Sequence, residues 1–283
     1  MRLLEFSTTD RRSHVGLIVD GGVVDLTARH PERAGSFARL LSDPDWRQLL
    51  DRSAAADVGL DAIDYEPLLA NTGRVFAAGL NYEKKYPVGT EQPKKPKFPP
   101  WFSKAPGTLV GHEQPVMAPA VSESFDYEAE LAAVLGGGGR HVPVERALEL
   151  VAGWTCFNDG SVRHWQRHSV NAGKNFEQSG SIGPWMVTAD EIDDPQNLRL
   201  MARVDGEARQ DAATGEMIFT VAQIISYLSD IIHLRPGDVI ATGSPEGTGG
   251  SFDPPKFLQP GQTVEIEVEG IGVLRNPVVA EPN

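Results

Sequence analysis

The sequence has almost no cysteine, an excess of acidic residues and no long apolar run. A single cysteine, Cys156, among 283 residues excludes an internal disulfide framework, which is typical of a reducing cytoplasm. The formal net charge of −13 argues against nucleic-acid binding, because phosphates demand clustered Lys and Arg. No uncharged apolar stretch approaches the roughly 20 residues that span a bilayer, and the N-terminus does not resemble a signal peptide. We therefore expect a cytoplasmic protein that binds neither nucleic acid nor membrane.

The remaining composition is that of an ordinary globular protein, and its pattern predicts two domains. Residues 1–70 are predicted to form a small N-terminal α/β domain, with a hairpin of strands at 15–19 and 23–26 followed by helical patterning. Residues 71–283 are dominated by short strands, with turn signals at short intervals and few helices. This order predicts an α+β, mostly β fold and not a doubly wound βαβ sheet.

Residues 125–135 are predicted to form a strand on which carboxylates alternate. One face is apolar throughout, whereas the other carries Asp126, Glu128 and Glu130 before it turns apolar. Carboxylates this close raise each other's pKa values. A divalent cation removes that conflict, because carboxylate oxygens are the ligands that Mg²⁺, Mn²⁺ and Ca²⁺ select. A solvent-facing acidic stripe on an edge strand explains the pattern equally well, so both interpretations stay open.

A third acidic position ends the next predicted strand, residues 151–159. Asp159 stands at the end of that strand, where a ligand can complete a site with the two glutamates. A helical turn follows, and Arg163 and Gln166 share one of its faces because they are three residues apart.

Residues 83–108 contain many prolines, lysines and glycines, together with several aromatic residues. The prolines forbid a helix or a central strand, and the aromatic residues argue against a disordered linker. A long ordered loop in a compact domain is usually functional, so we interpret it as a lid over a site. A packed surface loop is the alternative.

Seven segments, in collinear order, resemble the fumarylacetoacetate hydrolase superfamily. They cover about residues 75–280, and the first 70 residues resemble the small N-terminal domain of bacterial members. The segments are Gly-Leu-Asn-Tyr at 79–82, Asp-Tyr-Glu-Ala-Glu-Leu at 126–131, Asn-Asp-Gly-Ser-Val-Arg-His-Trp-Gln at 158–166, Gly-Lys-Asn-Phe at 173–176, Gly-Pro-Trp at 183–185, Pro-Gly-Asp-Val-Ile-Ala-Thr-Gly at 236–243 and Gly-Ile-Gly at 270–272.

The resemblance implies a mixed β-roll catalytic domain, a homodimer and one bound Mg²⁺ or Mn²⁺ per subunit, with Ca²⁺ as a possible substitute. Its implied metal ligands are Glu128, Glu130 and Asp159. Three carboxylates leave room in the coordination shell for water and for a bidentate substrate such as a 2-oxo acid or a 1,3-diketone.

The resemblance also implies which residues face the substrate. The donors that stabilise developing negative charge correspond to Arg163, Gln166 and Lys174, and such preorganised donors are usually a large part of a rate enhancement. A salt bridge to Asp159 or another acid is the alternative for Arg163, and a solvated surface position is the alternative for Lys174. The implied substrate-binding residues are Asn81, Tyr82, Gly243 and Ser244.

The sequence departs from the family pattern at Lys85. Many C–C bond hydrolases of the family carry a His there which, paired with a Glu, activates the attacking water. A lysine is protonated at pH 7 unless burial and nearby cations depress its pKa by several units, so Lys85 is a poor default base among the candidate catalytic residues. His112 is a substitute if it faces the pocket, and a turn histidine satisfied by the backbone is the alternative.

The expected function is divalent-metal-dependent hydrolysis of a C–C bond in an acylpyruvate or 1,3-diketo acid through a metal-stabilised enolate. The alternative is isomerisation, tautomerisation or decarboxylation of a 2-oxo acid at the same site, with proton transfer by Lys174 or a lid residue. A non-catalytic, metal-stabilised binding protein is a distant third.

Overall fold

The computed structural model of the chain describes residues 1–69, 73–83 and 94–282, and strands carry most of its core. The strands are Arg2–Ser7 (β1), His14–Val19 (β2), Gly22–Asp25 (β3), Asp64–Glu66 (β4), Val75–Ala78 (β5), Trp101–Lys104 (β6), Leu109–Val110 (β7), Val116–Ala118 (β8), Phe125–Asp126 (β9), Ala129–Leu135 (β10), Val151–Asn158 (β11), Ser161–Val162 (β12), Gly180–Thr188 (β13), Arg199–Val204 (β14), Glu207–Ala213 (β15), Val239–Ala241 (β16), Thr263–Val268 (β17) and Gly272–Ala280 (β18).

The helices in these ranges are short, apart from the last. They are Leu26–Arg29 (α1), Pro31–Ala34 (α2), Phe37–Ser42 (α3), Val144–Ala147 (α4), Arg163–Gln166 (α5), Val170–Lys174 (α6) and Val221–Ile231 (α7). Turns of 3₁₀ helix cover Trp46–Leu49, Leu60–Ala62, Leu148–Leu150, Ala189–Glu191, Thr214–Glu216 and Gly249–Ser251. In the described ranges, no helix is long and apolar enough to cross a membrane.

The strands form two large sheets and one small one. The largest has the order β3-β2-β1-β13-β11-β10-β16-β5-β6, with β4 beside β1 and β7 beside β13. The second has the order β15-β14-β17-β18-β8, and β9 pairs only with β12. Most pairs are antiparallel, whereas β16 with β5, β13 with β7 and β18 with β8 are parallel. This mixed, strand-rich arrangement confirms the predicted α+β, mostly β class.

The N-terminal hairpin formed as predicted, and it joins the large sheet. Strands β2 and β3 pair around the turn at Asp20 and Gly21, and β1 pairs with β13 so that Leu3 faces Met186. The first strands therefore extend the sheet that carries the rest of the chain. The predicted division into residues 1–70 and 71–283 stays a prediction, and residues 70–72 lie outside the described ranges.

The predicted strand at 125–135 is interrupted, and its two parts join different sheets. Strand β9 pairs with β12, whereas β10 pairs with β11 on one side and β16 on the other. Tyr127 and Glu128 form the crossing point between the two parts. The predicted alternation is otherwise correct, because Leu131 and Ala133 pack in one core and Ala132 and Val134 in the other. A strand buried on both faces excludes the interpretation as an exposed acidic edge.

Candidate metal and catalytic site

The strand register brings three carboxylates together. Ala129 of β10 faces Asn158 of β11, and the backbone N–H of Asp159 donates to the carbonyl of Glu128 at 2.9 Å. Glu130 is the second residue of β10 and projects beside them. One carboxylate oxygen from each of Glu128, Glu130 and Asp159 lies within 4.8 Å of the other two. Two adjacent strands therefore contribute to one site, and its three carboxylates are the ones that the sequence predicted.

Glu130 has the most unusual environment of the three. It is fully buried, and burial together with the charges of Asp159 and Glu128 raises its pKa well above the usual range. One of its oxygens, Oε2, accepts from the Gly243 N–H at 2.7 Å. The other, Oε1, is buried and has no hydrogen-bond partner in the described part of the chain. An orphaned, buried acceptor beside two further carboxylates fits a hard dication such as Mg²⁺, Mn²⁺ or Ca²⁺.

Two buried lysines bracket Asp159. Lys174 Nζ lies 2.7 Å from Asp159 Oδ2 and 2.5 Å from Glu128 Oε2, and Lys104 Nζ lies 2.9 Å from Asp159 Oδ1. Burial lowers the pKa of Lys104 despite the charge of Asp159. Burial acts in the same direction on Lys174, but the charges of Asp159 and Glu128 outweigh it and raise its pKa. Lys174 is thus a buried ammonium group and not a solvated surface lysine.

Lys174 also differs from its predicted local structure. The sequence places it in a glycine-flanked loop, whereas the structure places it at the last position of α6. The side chain of Ser169 caps the first turn of that helix by accepting from the Ala172 N–H at 3.0 Å. The Lys174 ammonium group lies 5.5 Å from the centre of the Phe102 ring, a favourable position over an aromatic face.

Arg163 joins the cluster from α5. Its Nη1 lies 2.7 Å from Glu128 Oε1 and its Nε lies 2.8 Å from Asp126 Oδ2, so the salt-bridge alternative is confirmed with these two acids as partners. Gln166 Oε1 lies 3.4 Å from Nη1 of Arg163, which confirms the predicted shared face. Arg163 Nη2 is buried without a partner in the described ranges.

The site as a whole gathers seven ionisable side chains in a small volume. The carboxylates are Asp126, Glu128, Glu130 and Asp159, and the cations are Lys104, Lys174 and Arg163. With all seven ionised, four negative charges face three positive ones. One net negative charge in a desolvated cluster favours an additional cation over an additional anion.

Three of the four predicted substrate-binding residues are hydrogen-bonded within the protein, whereas the hydroxyl of the fourth, Tyr82, has no partner in the described ranges. The Asn81 amide bonds to the backbone of Phe219 and Thr242 at 2.7–3.0 Å, and Gly243 donates to Glu130. Ser244 Oγ accepts from Gln210 Nε2 at 2.8 Å. Tyr82 Oη is buried without a partner in the described ranges, and burial and the charge of Glu130 raise the pKa of its phenol. Of the four, Tyr82 therefore presents an unused donor beside the carboxylates.

The two candidate bases have different outcomes. Lys85 lies outside the described residues, so its role stays a prediction. His112 accepts from the Arg275 N–H at 3.1 Å through Nδ1 and packs edge-on against Tyr65 at 4.8 Å between ring centres. It is the backbone-satisfied turn histidine that the sequence offered as the alternative.

Comparison with known proteins decides the family. The model of the fumarylacetoacetate (FAA) hydrolase C-terminal family matches residues 74–279. The chain belongs to the fumarylacetoacetate hydrolase family. A Burkholderia lata protein named "Putative hydrolase" is 37% identical to it over 281 residues, which cover 96% of each chain.

Solved structures of this family resemble the whole chain. The fumarylacetoacetate hydrolase from Exiguobacterium antarcticum is 31% identical with a TM-score of 0.81, covering 99% of this chain and 100% of that one. Both chains are covered completely for the next two. The maleylpyruvate hydrolase from Sphingobium sp. SYK-6, in complex with manganese(II) and pyruvate, is 27% identical with a TM-score of 0.80. A 5-carboxymethyl-2-hydroxymuconate delta-isomerase from Mycobacterium smegmatis is 29% identical with a TM-score of 0.77. The family fold thus carries both hydrolases and isomerases.

Sequence reasoning missed two members of the cluster, Lys104 and the separate role of Asp126. Lys104 ends β6, the outer strand beside β5, inside the segment interpreted as a lid. In the structure Phe102 and Lys104 are buried whereas Trp101 and Ser103 are exposed. The sequence Trp-Phe-Ser-Lys has no apolar–polar alternation, so no local signal marks Lys104 as inward-facing.

Proposed function

We propose that this protein is a divalent-metal-dependent enzyme that hydrolyses a C–C bond in an acylpyruvate or related 1,3-diketo acid. The observation that carries the proposal is the buried ring of Glu128, Glu130 and Asp159, with an orphaned oxygen on Glu130 and the unpaired Nη2 of Arg163 close by. Mg²⁺ or Mn²⁺ is the proposed ion, and the family relative that holds manganese and pyruvate supports an oxo acid as ligand. The same family membership supports a homodimer and a cytoplasmic location.

The carboxylates and Arg163 have different proposed roles in the reaction. Glu128, Glu130 and Asp159 would hold the dication, which supplies a Lewis acid to polarise an oxo group when bound. Arg163 presents Nη2 to a substrate oxyanion, and its bonds to Asp126 and Glu128 keep it from reorienting. Preorganised donors of this kind stabilise developing negative charge without rearrangement during the reaction.

Lys174 is suited to be an acid more than a base. Its ammonium group bonds to both Glu128 and Asp159, and those charges hold the proton on it. It can therefore donate a proton to a carbanion or enolate carbon that forms next to it. A hydrolase needs a water-activating base in addition, and Lys85 could fill this role only if burial and nearby cations depressed its pKa.

The second candidate function is isomerisation, tautomerisation or decarboxylation of a 2-oxo acid. The specific observation in its favour is that Lys174 is a charged proton donor, which these reactions use without a water nucleophile. The family resemblance to a delta-isomerase supports it as well.

One experiment separates the two candidates. Acylpyruvates, oxaloacetate and fumarylacetoacetate-like diketones are incubated with the Mn²⁺-loaded enzyme in H₂¹⁸O, and the products are analysed by mass spectrometry and NMR. Label in a product carboxylate indicates hydrolysis. A shifted double bond, C–H exchange in a parallel incubation in D₂O, or CO₂ release with no label in the remaining carboxylate indicates the second candidate. EDTA should abolish turnover and Mn²⁺ should restore it. Full turnover in metal-free protein would exclude both.

A further inference from the structure

Asp126 is the acidic residue of the cluster that receives the most hydrogen bonds, and it is fully buried. Its Oδ1 accepts from the N–H groups of Tyr127 at 2.9 Å and Gly249 at 2.7 Å. Its Oδ2 accepts from the Gly250 N–H at 2.9 Å and from Arg163 Nε at 2.8 Å. Four donors saturate the favourable positions around a carboxylate. Asp126 is therefore occupied by the protein itself and is not placed to bind an ion.

Two of those donors belong to the glycine-rich loop, residues 243–250. The same acidic segment holds both ends of this loop, because Gly243 donates to Glu130 and Gly249 and Gly250 donate to Asp126. Between them, the Tyr127 hydroxyl donates to the Gly247 carbonyl at 3.0 Å. Asp126 and Glu130 therefore both anchor the loop, and Glu130 is in addition one of the three carboxylates of the candidate metal site.

The contact between Asp126 and the loop leaves no room for a side chain at Gly249. A Cβ on Gly249 would lie 2.7 Å from Asp126 Oδ1 and 2.4 Å from the Lys256 carbonyl. A Cβ on Gly250 would lie 3.4 Å from Asp126 Oδ2, which is an ordinary van der Waals contact. The backbone therefore reaches Asp126 Oδ1 at this distance only because residue 249 is glycine.

Arg163 is held by Asp126 on one side and Glu128 on the other. A guanidinium group is planar, so fixing Nε on Asp126 and Nη1 on Glu128 also fixes the direction of Nη2. Nη2 is the one nitrogen of the group that has no partner in the described ranges, and it is buried. The orientation of this free donor is therefore set jointly by the loop anchor and by an implied metal ligand.

We propose that Asp126 is a positioning residue that locks the glycine-rich loop and Arg163 into one unit, so that Arg163 Nη2 faces the carboxylate or oxyanion of an oxo-acid substrate. This inference rests on the proposed function, because it assumes an oxo acid at the site. Asp126 touches neither ion nor substrate, and it acts only through Arg163 and the loop.

The test is a double-mutant cycle on ligand binding with Asp126→Asn, Arg163→Lys and the double variant. Asp126→Asn keeps the shape but replaces one acceptor oxygen with an NH₂ group that faces N–H donors. Arg163→Lys keeps the charge but removes the planar fork. Mn²⁺ affinity is measured by calorimetry, and pyruvate affinity is then measured on the Mn²⁺-loaded protein.

We expect Asp126→Asn to weaken pyruvate binding about tenfold, the scale of one charge-assisted hydrogen bond, and to change Mn²⁺ affinity by less than about threefold. The double variant should bind pyruvate as Arg163→Lys does, because both changes remove the same oriented donor. Factors that multiply in the double variant, or unchanged pyruvate binding in Asp126→Asn, would overturn the proposal.

A matched control separates positioning from general stability. Asp238 is buried and accepts from Arg74 Nε at 2.9 Å and from the Arg235 N–H at 2.8 Å, so it is a comparable Asp–Arg pair near the opposite end of β16. Asp238→Asn should lower the melting temperature as Asp126→Asn does and leave pyruvate affinity unchanged. An equal loss of pyruvate affinity in both variants would assign Asp126 a merely structural role.

A second measurement needs neither metal nor substrate. In ¹⁵N-labelled protein, hydrogen exchange of the Arg163 Nε–H and of the Gly249 and Gly250 amides should accelerate in Asp126→Asn and not in Asp238→Asn. Failure of wild-type protein to bind Mn²⁺ or pyruvate would count against the proposed function, whereas unchanged exchange would count against the role of Asp126.

Discussion

The candidate site and the N-terminal strands both bury carboxylates, but only at the candidate site do cations lie beside them. At the candidate site, the four carboxylates lie among Lys104, Lys174 and Arg163. In the N-terminal strands, Glu5 is buried with one strong hydrogen bond, from the Leu69 N–H at 2.5 Å, and it faces Glu66 across the β1–β4 pair. Burial, reinforced by the charge of Glu66, raises the pKa of Glu5 to about 7.

The contrast between Glu5 and the carboxylates of the candidate site indicates the role of the cations at that site. A buried carboxylate without a cation becomes neutral near neutral pH, and a neutral carboxyl group is a poor metal ligand. At the candidate site, Asp159 and Glu128 are instead ion-paired with Lys104, Lys174 and Arg163. Glu130 has no ion-pair partner in the described ranges, so in the absence of a bound metal ion its carboxyl group resembles that of Glu5.

The largest expected effect comes from removing a cation at the site. Lys104→Met should destabilise the protein by about 4 kcal/mol, because it removes the cation 2.9 Å from Asp159 Oδ1 and leaves two cations among the four buried carboxylates. Urea denaturation measures the loss. The exposed pair of Arg47 and Asp190, 3.0 Å apart, is the control, and Arg47→Ala should cost less than about 1 kcal/mol. Similar losses in both variants would remove the contrast between the regions.

The next effect is the pH dependence that Glu5 gives to stability. Its pKa is about 7 when folded and 4.5 as the model value, so between these pH values the folded state binds the proton and the unfolded state does not. Stability is therefore lost as pH rises from 4.5 to 7, by up to about 3 kcal/mol at 1.36 kcal/mol per pKa unit.

Glu5→Gln keeps an acceptor for the Leu69 N–H and cannot ionise. The difference in unfolding free energy between wild type and this variant, measured from pH 4 to pH 8, should grow in favour of the variant over that window. A flat difference would show that Glu5 stays charged over this pH range.

The third prediction converts Glu130 into a permanently neutral group. Glu130→Gln keeps the acceptor for the Gly243 N–H and disturbs no ion pair among the described residues, so the fold should persist. Mn²⁺ affinity should fall by more than about 100-fold, beyond the roughly 10- to 100-fold loss that a residue outside the ligand set usually causes. Calorimetry measures this Mn²⁺ affinity, with Glu5→Gln as the control. Equal Mn²⁺ affinity in both variants would contradict the assignment of Glu130 as a ligand.

The smallest effect concerns metal-free protein. Without an ion, Glu130 adds repulsion to Glu128 and Asp159, so Glu130→Gln should be about 1 kcal/mol more stable than wild type in EDTA. Added Mn²⁺ should reverse the order, because binding stabilises only the protein with the intact site. Thermal unfolding of both proteins is measured with and without Mn²⁺. A higher melting temperature for wild type than for Glu130→Gln in EDTA would contradict this prediction.

Part of this site could be predicted from local pattern. The two-residue spacing of Glu128 and Glu130 on a strand, and Asp159 at the end of the next strand, follow from alternation and strand pairing. The capping box of α7, in which Thr220 Oγ1 accepts from the Gln223 N–H at 3.2 Å, is a local feature of the same kind. The pair of Glu128 and Glu130 and this capping box each span only a few residues of the chain.

Other features depend on contacts between distant segments. Lys104 and Asp159 are 55 residues apart in the chain, and the short strand that carries Lys104 gives little periodicity to read. Asp126 appeared equivalent to Glu128 and Glu130 in the alternating pattern. Only the crossing from β9 to β10 turns it toward the glycine-rich loop.

The amino-acid sequence by itself determined the mostly β class, the family and the three carboxylates, because these follow from short-range alternation and from motifs in a fixed order. The tertiary structure decided which carboxylates face each other, which are neutralised by Lys104, Lys174 and Arg163, and which one anchors a loop. The physical reason is that charge stabilisation in a buried cluster falls off with distance in space. Separation along the chain does not report that distance.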